Sequence, residues 1–387
     1  SAGSRAGLGC RIARIGSGRV FGGAGGAGVR KLGFGSASSP TASCVFSMDY
    51  VLSMSCPRPG VESVDTTFHH VDDIAWTPVQ RQRNADGTES AVIEQWPVMH
   101  PRCLSAHVHY DPGMVVRRHG HRSEHVVVIL DGGAWIGGDW CTARTHVHVP
   151  LGATFGPIVA GPEGVTCWEL SFGEFGGWGD EPESYEREIA ARGVTPLPNP
   201  PLDLGSWFRD PRGDTGAERG TPRVPGLAEV VARYDDRPWT EVRRQRSADG
   251  TVAAVRARWA IARPDFTSAL VEHDPGMVTR RERWLGTHMV WLLDGGAWFD
   301  SRWCPAGTHV EVPAGCEVGP IVAGPEGARF IELTHGDVRS LGVGRDAYDR
   351  ALARQGATRL PDPALDLGPA IDDTRDTWVD DRLRESP

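Results

Sequence analysis

The stretch GPIVAGPEG runs from Gly156 to Gly164 and is spelled again, letter for letter, from Gly319 to Gly327. The agreement extends both ways at one fixed displacement of 163 residues. Upstream, LDGGAW at 130–135 returns at 293–298, and DPGMV at 111–115 returns at 274–278. Further upstream, DDIAWTPVQRQRNADGT at 72–88 returns as DDRPWTEVRRQRSADGT at 235–251. Downstream, LDLG at 202–205 returns at 365–368. No insertion breaks the match, and roughly half of the positions are identical. This is a tandem duplication of a whole domain. Each copy, at about 135 residues, has the size of one compact unit.

The chain of 387 residues divides accordingly. A leader over 1–60 precedes a first domain over 71–205, and a polar Gly/Pro linker over 206–233 leads to a second domain over 234–368. A tail over 369–387 follows. The unit reads as all-β. LSAHVHY (104–110), HVVVIL (125–130), THVHVP (145–150) and VTCWELSF (165–172) are short and rich in β-branched or aromatic residues. Turn residues fall between them in DPG, DGG, PLG and AGPEG. Many short strands at close spacing predict a sandwich or barrel. Near the end of each copy, YEREIAAR (185–192) and YDRALARQ (348–355) suit one short helix, stopped by Gly193 and Gly356.

Charge excludes one class of partner. The net charge is −9, yet the first 48 residues hold six basic side chains and no acidic one, so the remainder stands at −15. An acidic body repels nucleic acid. No apolar run approaches the roughly 18 residues of a membrane span. The leader is Gly/Ser/Ala-rich and cannot build a core. It resembles an organelle transit peptide, with a disordered extension or sequence ahead of a start at Met48 as alternatives. A cytoplasmic location, or a plastid or mitochondrion if the leader is a transit peptide, follows. The eight cysteines show no CxxC and read as free thiols. Cys141 and Cys304 occupy matching places, so packing explains them.

The copies part company at RRHGHRSEH (117–125), which becomes RRERWLGTH (280–288). Gly113 is followed after five residues by His119, Gly120 and His121, after three more by His125, and after six by Gly132. With PLGATF at 150–155 further on, this spacing resembles the cupin superfamily, and HVPLGATFGPIVAGPEG looks like cupins of the ChrR type. The resemblance covers both copies and implies a bicupin: two tandem jelly-roll barrels. It implies a metal on the His-x-His pair, from zinc-binding sensors or small dioxygenase-like proteins. The departures are specific. His125 stands at the family's glutamate position with Glu124 one residue early, and Phe155 stands where the second motif has its histidine. The second copy has Glu282, Trp284, His288 and Val318 at the corresponding places, so its site is disarmed on the family's own terms.

Residue chemistry supports the metal in the first copy. On a strand, His119 and His121 send both imidazoles to one face. Such a pair suits a borderline divalent ion, Fe(II) or Zn first, with Mn, Ni or Cu as alternatives. His125 or Glu124 would be third ligand, with open positions left for substrate. Because His288 repeats His125 where the pair is gone, His125 can equally serve the fold. His146 and His309 are twinned and read as structural residues of an outer face. His107 and His109 are further candidates for the missing ligand. Glu124 or Glu169 would act as base, and Phe155 as an apolar pocket wall. Trp284, Glu282 and His288 would line the second pocket, with a metal-free ligand as one reading of it.

Three functions follow: a metal-dependent enzyme on a small organic molecule, dioxygenase-like with lyase or isomerase chemistry behind it; a non-catalytic zinc or small-ligand sensor; or a structural bicupin. A small molecule is the expected partner. The tryptophans Trp76, Trp96, Trp135 and Trp140 recur as Trp239, Trp259, Trp298 and Trp303, which predicts barrel packing or a pseudo-symmetric contact and leaves room for a homodimer.

Overall fold

The computed structural model describes residues 65–173, 177–202, 224, 226–368 and 371–379. The apolar runs become strands where the sequence places them. The first copy has Cys103–Tyr110, Glu124–Ile136, Thr145–Val149 and Ile158–Phe172. The second has Phe266–His273, Thr287–Phe299, Thr308–Val312 and Ile321–His335. Alternation within them sends one set of side chains inward. In Cys103–Tyr110, Ala106, Val108 and Tyr110 join the barrel core with Val127, Ile129, Val147 and Phe155.

Among the described residues each copy carries a main antiparallel sheet of ten strands. In the first, Cys103–Tyr110 lies beside Ile158–Phe172, which lies beside Glu124–Ile136. Strands distant in sequence are thus neighbours in space, the crossing that makes a jelly roll. A small sheet forms the facing wall. In the first copy it is His119–His121 with Gly177–Gly179. In the second, Arg281–Trp284 lies between Glu317–Val318 and Ser340–Val343. Gly132 makes the turn inside its long strand at φ +70°, and a Cβ there would stand 2.3 Å from the Gly164 carbonyl oxygen. Its twin Gly295 has the same constraint, at 2.2 Å from Gly327, so both copies keep it.

The short helices form at Pro182–Arg192 and Arg345–Arg354. Gly193 ends the first in the left-handed region at φ 64°. No helix among the described residues is long and apolar enough to cross a membrane.

Two short strands lie just ahead of the two domain spans. Thr67–His70 is a strand, but it pairs with Thr308–Val312 of the second barrel. Its twin Val230–Arg233, placed by the sequence in the linker, pairs with Thr145–Val149 of the first. Each copy therefore lends its leading strand to the other. Residues 203–223 and 225 of the linker, the whole leader, and residues 369–370 and 380–387 of the tail lie outside the described residues.

The outer faces of the two main sheets meet in a second apolar core, which includes Trp168, Leu170, Phe266, Trp291 and Leu333. His146 and His309 lie in this seam and are fully buried. Ser268 bonds His146 Nδ1 at 3.1 Å, and Ser105 bonds His309 Nε2 at 2.9 Å. Both stand on the outer face of their strands, where the sequence reading put them. Of the repeated tryptophans, Trp135 and Trp140 lie 5.4 Å apart, as do Trp298 and Trp303. Trp135 and Trp298 remain about half exposed, so these pairs lie outside the seam core. Cys103, Cys141, Cys167, Cys304 and Cys316 are free, and Cys141 and Cys304 are buried in the two barrels.

Candidate functional site

The first barrel encloses a cavity of about 360 Å³, with His119, His121, His125 and Glu169 on its wall. His119 and His121 come from the small sheet, two apart on one strand, with ring centroids 5.1 Å apart. Gly120 between them lets the strand approach its support: a Cβ there would stand 2.5 Å from the Ala153 carbonyl oxygen and 2.6 Å from the Trp178 ring. His125 projects from the main sheet. Phe155, fully buried, touches all three imidazoles at centroid distances of 4.5, 6.2 and 5.4 Å.

Burial pushes the His119 pKa down to about 4, against the opposing effect of its bond to the Arg117 carbonyl. That carbonyl lies 2.8 Å from Nδ1 and can only accept. The proton therefore sits on Nδ1, leaving the lone pair on Nε2. His125 Nδ1 bonds Ser171 Oγ at 2.9 Å, and its Nε2 lies 3.5 Å from Glu169 Oε2. The Tyr110 hydroxyl donates to Glu169 Oε1 at 2.7 Å. Burial opposes the charge on Glu169, but His125 and the Tyr110 hydrogen bond prevail and its pKa is lowered.

Other candidates lie elsewhere, for one geometric reason. Successive strand residues face opposite sides. Glu124 precedes inward-facing His125 and so turns to the seam, where it bonds His148, His335 (3.0 Å) and Arg263 (3.1 Å). It is neither base nor ligand in the cavity. His107 and His109 share their strand with Ala106 and Tyr110 and face the other way. His107 bonds Gln95 and lies between the rings of Trp76 and Trp291 at 5.0 Å from each. His109 bonds Thr166. Neither can supply the missing ligand.

The second barrel has a smaller cavity, about 200 Å³, lined by Glu282, Trp284, His288 and Glu332. Trp284 stacks on His288 at 3.6 Å with 4° between planes. His288 Nδ1 bonds Thr334 at 2.9 Å, the same contact that His125 makes with Ser171. The two histidines thus share a scaffold bond, whatever else His125 does.

In kind, the donors of the first cavity fit a borderline divalent ion: three imidazoles, one of them in the neutral form ligation requires, beside a carboxylate. Their arrangement is not a closed shell. His121 lies stacked on His125, centroids 4.1 Å and planes 23° apart. Among the described residues no three His, Cys, Asp or Glu side chains converge as a metal site. Sharing a cation requires those two rings to part.

Sequence reasoning missed Tyr110, Ser171, Trp178 and Arg117, all on the cavity wall. The signal was present for two of them. Tyr110 becomes His273 and Trp178 becomes Leu341 in the second copy, differences as informative as the lost histidines.

The fold is two tandem jelly-roll barrels, and among the described residues the imidazole cluster lies in the first. No family model matches the chain, and no curated protein does. Among solved structures, a candidate dioxygenase from Nostoc punctiforme is similar over 73% of this chain and 87% of its own, at 12% identity and a TM-score of 0.48. Oxalate decarboxylase from Bacillus subtilis is similar over 77% of this chain and 87% of its own, at 14% identity and a TM-score of 0.46. The jelly rolls rest on strand order and register, not on these likenesses.

Proposed function

We propose that the first barrel is a metal-dependent site for a small organic molecule, with His119, His121 and His125 as nitrogen donors. The observation that carries this reading is the gathering of three imidazoles and Glu169 on one buried wall. A divalent ion held there would supply Lewis-acid polarisation of the substrate. The chain's own residues do the rest. The Arg117 carbonyl fixes the His119 tautomer, the orienting contact that ligating histidines need. Glu169, steadied by the Tyr110 hydroxyl, is the base that accepts a substrate proton. Phe155 and Trp178 exclude water from that wall. Arg117 and Arg81, also on the cavity wall, are placed to orient an anionic or carbonyl group. Dioxygenase-like oxidation is the reaction class the resemblance implies, with lyase or isomerase chemistry next.

The His121–His125 stack favours a second reading, a small-ligand cavity without metal or turnover. Elemental analysis of the chain purified without chelator separates the two. About one divalent metal per chain, lost in the His119→Ala/His121→Ala double variant, supports the first; none under any loading overturns it. Oxygen uptake on diketones, phenolic ketones and thiols then tests the class. A metal-loaded protein that consumes no oxygen on any of them rules against the dioxygenase and leaves a lyase.

A further inference from the structure

The second cavity is more than a degenerate copy of the first. In the first barrel Tyr110 reaches along the sheet to Glu169, which stands opposite Ala106 on the neighbouring strand. The second barrel repeats the register, with Glu332 opposite Ala269 and His273 four residues further on. An imidazole is shorter than a phenol, and the span is not bridged. His273 Nδ1 is buried and makes no hydrogen bond. Glu332 has no hydrogen-bond or ion-pair partner among the described residues. Both line the one cavity. Two polar groups left unpartnered at one cavity mark room for a third.

The sign of that third group follows from the charges around it. Glu282 is held by Arg243 at 2.8 Å and Arg280 at 3.0 Å. Asp373 is held by Arg375 and Asp372 by Arg339. Burial keeps His273 neutral, lowering its pKa to about 4, and does the same for His288, at about 3. Glu332 alone among the cavity carboxylates lacks a counter-ion. Burial, then the neighbouring Glu282, push its pKa up to about 8, Arg243 opposing. With its proton on Nε2, neutral His273 presents Nδ1 as an acceptor, and ionised Glu332 presents a carboxylate as a second. Trp284 adds an aromatic wall, and Val255, Ala257 and Val290 an apolar one.

We propose that the second barrel binds a small organic ammonium compound, its cationic nitrogen between Glu332 and His273 and its apolar body against Trp284. Two of the three ammonium hydrogens meet these two acceptors, and an aromatic wall favours an organic cation. Binding draws the proton off Glu332 and is therefore accompanied by proton release near pH 7.

Calorimetry on the full chain tests this with three probes of one shape: benzylamine, benzyl alcohol and benzoate. Benzylamine is expected to bind one site at least tenfold tighter than the alcohol, with benzoate silent. Its heat should vary with buffer ionisation enthalpy as proton release requires. Glu332→Gln should erase the preference for the amine. Should that variant fail to fold, His273→Tyr serves, because it restores the bond of the first barrel: it should raise the melting temperature and abolish amine binding. The His119→Ala/His121→Ala variant should bind benzylamine unchanged, which separates this site from the first cavity. Equal binding of amine and alcohol, no binding of benzylamine, or binding that survives both Glu332→Gln and His273→Tyr would overturn the proposal.

Discussion

Gly120 has less room than any side chain could accept, with the Ala153 carbonyl on one side and Trp178 on the other. A Gly120→Ala substitution must therefore shift the wall carrying both histidines. The expected cost is about 1–3 kcal/mol, the usual range for overpacking, seen as a lower melting temperature with altered Trp178 fluorescence. An unchanged melting temperature would mean that the strand and Trp178 are not packed as described. The twin position is Arg283, so the constraint belongs to the imidazole-bearing copy. His125 and His288 make a second test. Each bonds a buried hydroxyl at 2.9 Å, so alanine at either should destabilise by at least ~1 kcal/mol. Only His125→Ala should also weaken metal binding. If His125→Ala leaves metal affinity intact, the histidine is scaffold alone. The His-x-His pair was legible because strand alternation puts i and i+2 on one face. The same rule, applied from inward-facing His125 and Ala106, turns Glu124, His107 and His109 outward. What the sequence lacked was the phase of each strand.

At the scale of elements, the exchanged leading strands are the feature least visible in the chain. Thr67–His70 resembles its twin Val230–Arg233 only by position, and both precede the stretch where the repeat is plain. Phe68 packs against the core of the second barrel, 5.9 Å from the Phe299 ring. Phe68→Ala should destabilise by roughly half of the ~3–5 kcal/mol typical of a fully buried phenylalanine. Amide exchange locates the effect: protection should fall in Thr308–Val312, its ladder partner, before it falls in Thr77–Arg83 of its own copy. Loss confined to the first barrel would show that the strand stays with its own repeat. Pairing across some 240 residues leaves no local mark, because a short edge strand needs only two or three apolar side chains and either barrel could accept them.

Across the molecule, the seam between the barrels buries polar groups as well as tryptophans. Burial first, with neighbouring His109, His148 or His69 adding to it, lowers the pKa of His107 to about 4 and of His146 and His309 to about 3. Unfolded, each takes a proton near 6.5. Between these values the unfolded chain binds more protons than the folded one. Stability is therefore whole above pH 6.5 and falls as the solution is acidified towards pH 4. The slope reaches at most about 1.4 kcal/mol per pH unit for each histidine. Denaturant unfolding at pH 7, 6, 5 and 4 measures it, and His146→Gln or His309→Gln should flatten the curve. An unchanged slope in both variants would place the pH dependence elsewhere.

The duplication, the β class, the turn glycines and the imidazole pair were settled by the sequence, since each depends on periodicity or on contacts close along the chain. Comparing the copies separated scaffold from candidate chemistry, and would have separated more had Tyr110 and His273 been set side by side. Only the tertiary structure decided which face of each strand met the cavity, which barrel each leading strand completed, and which carboxylates found a counter-ion. Those outcomes depend on groups brought together from distant parts of the chain, and whether a carboxylate is neutralised or left alone in a cavity depends on its neighbours in space.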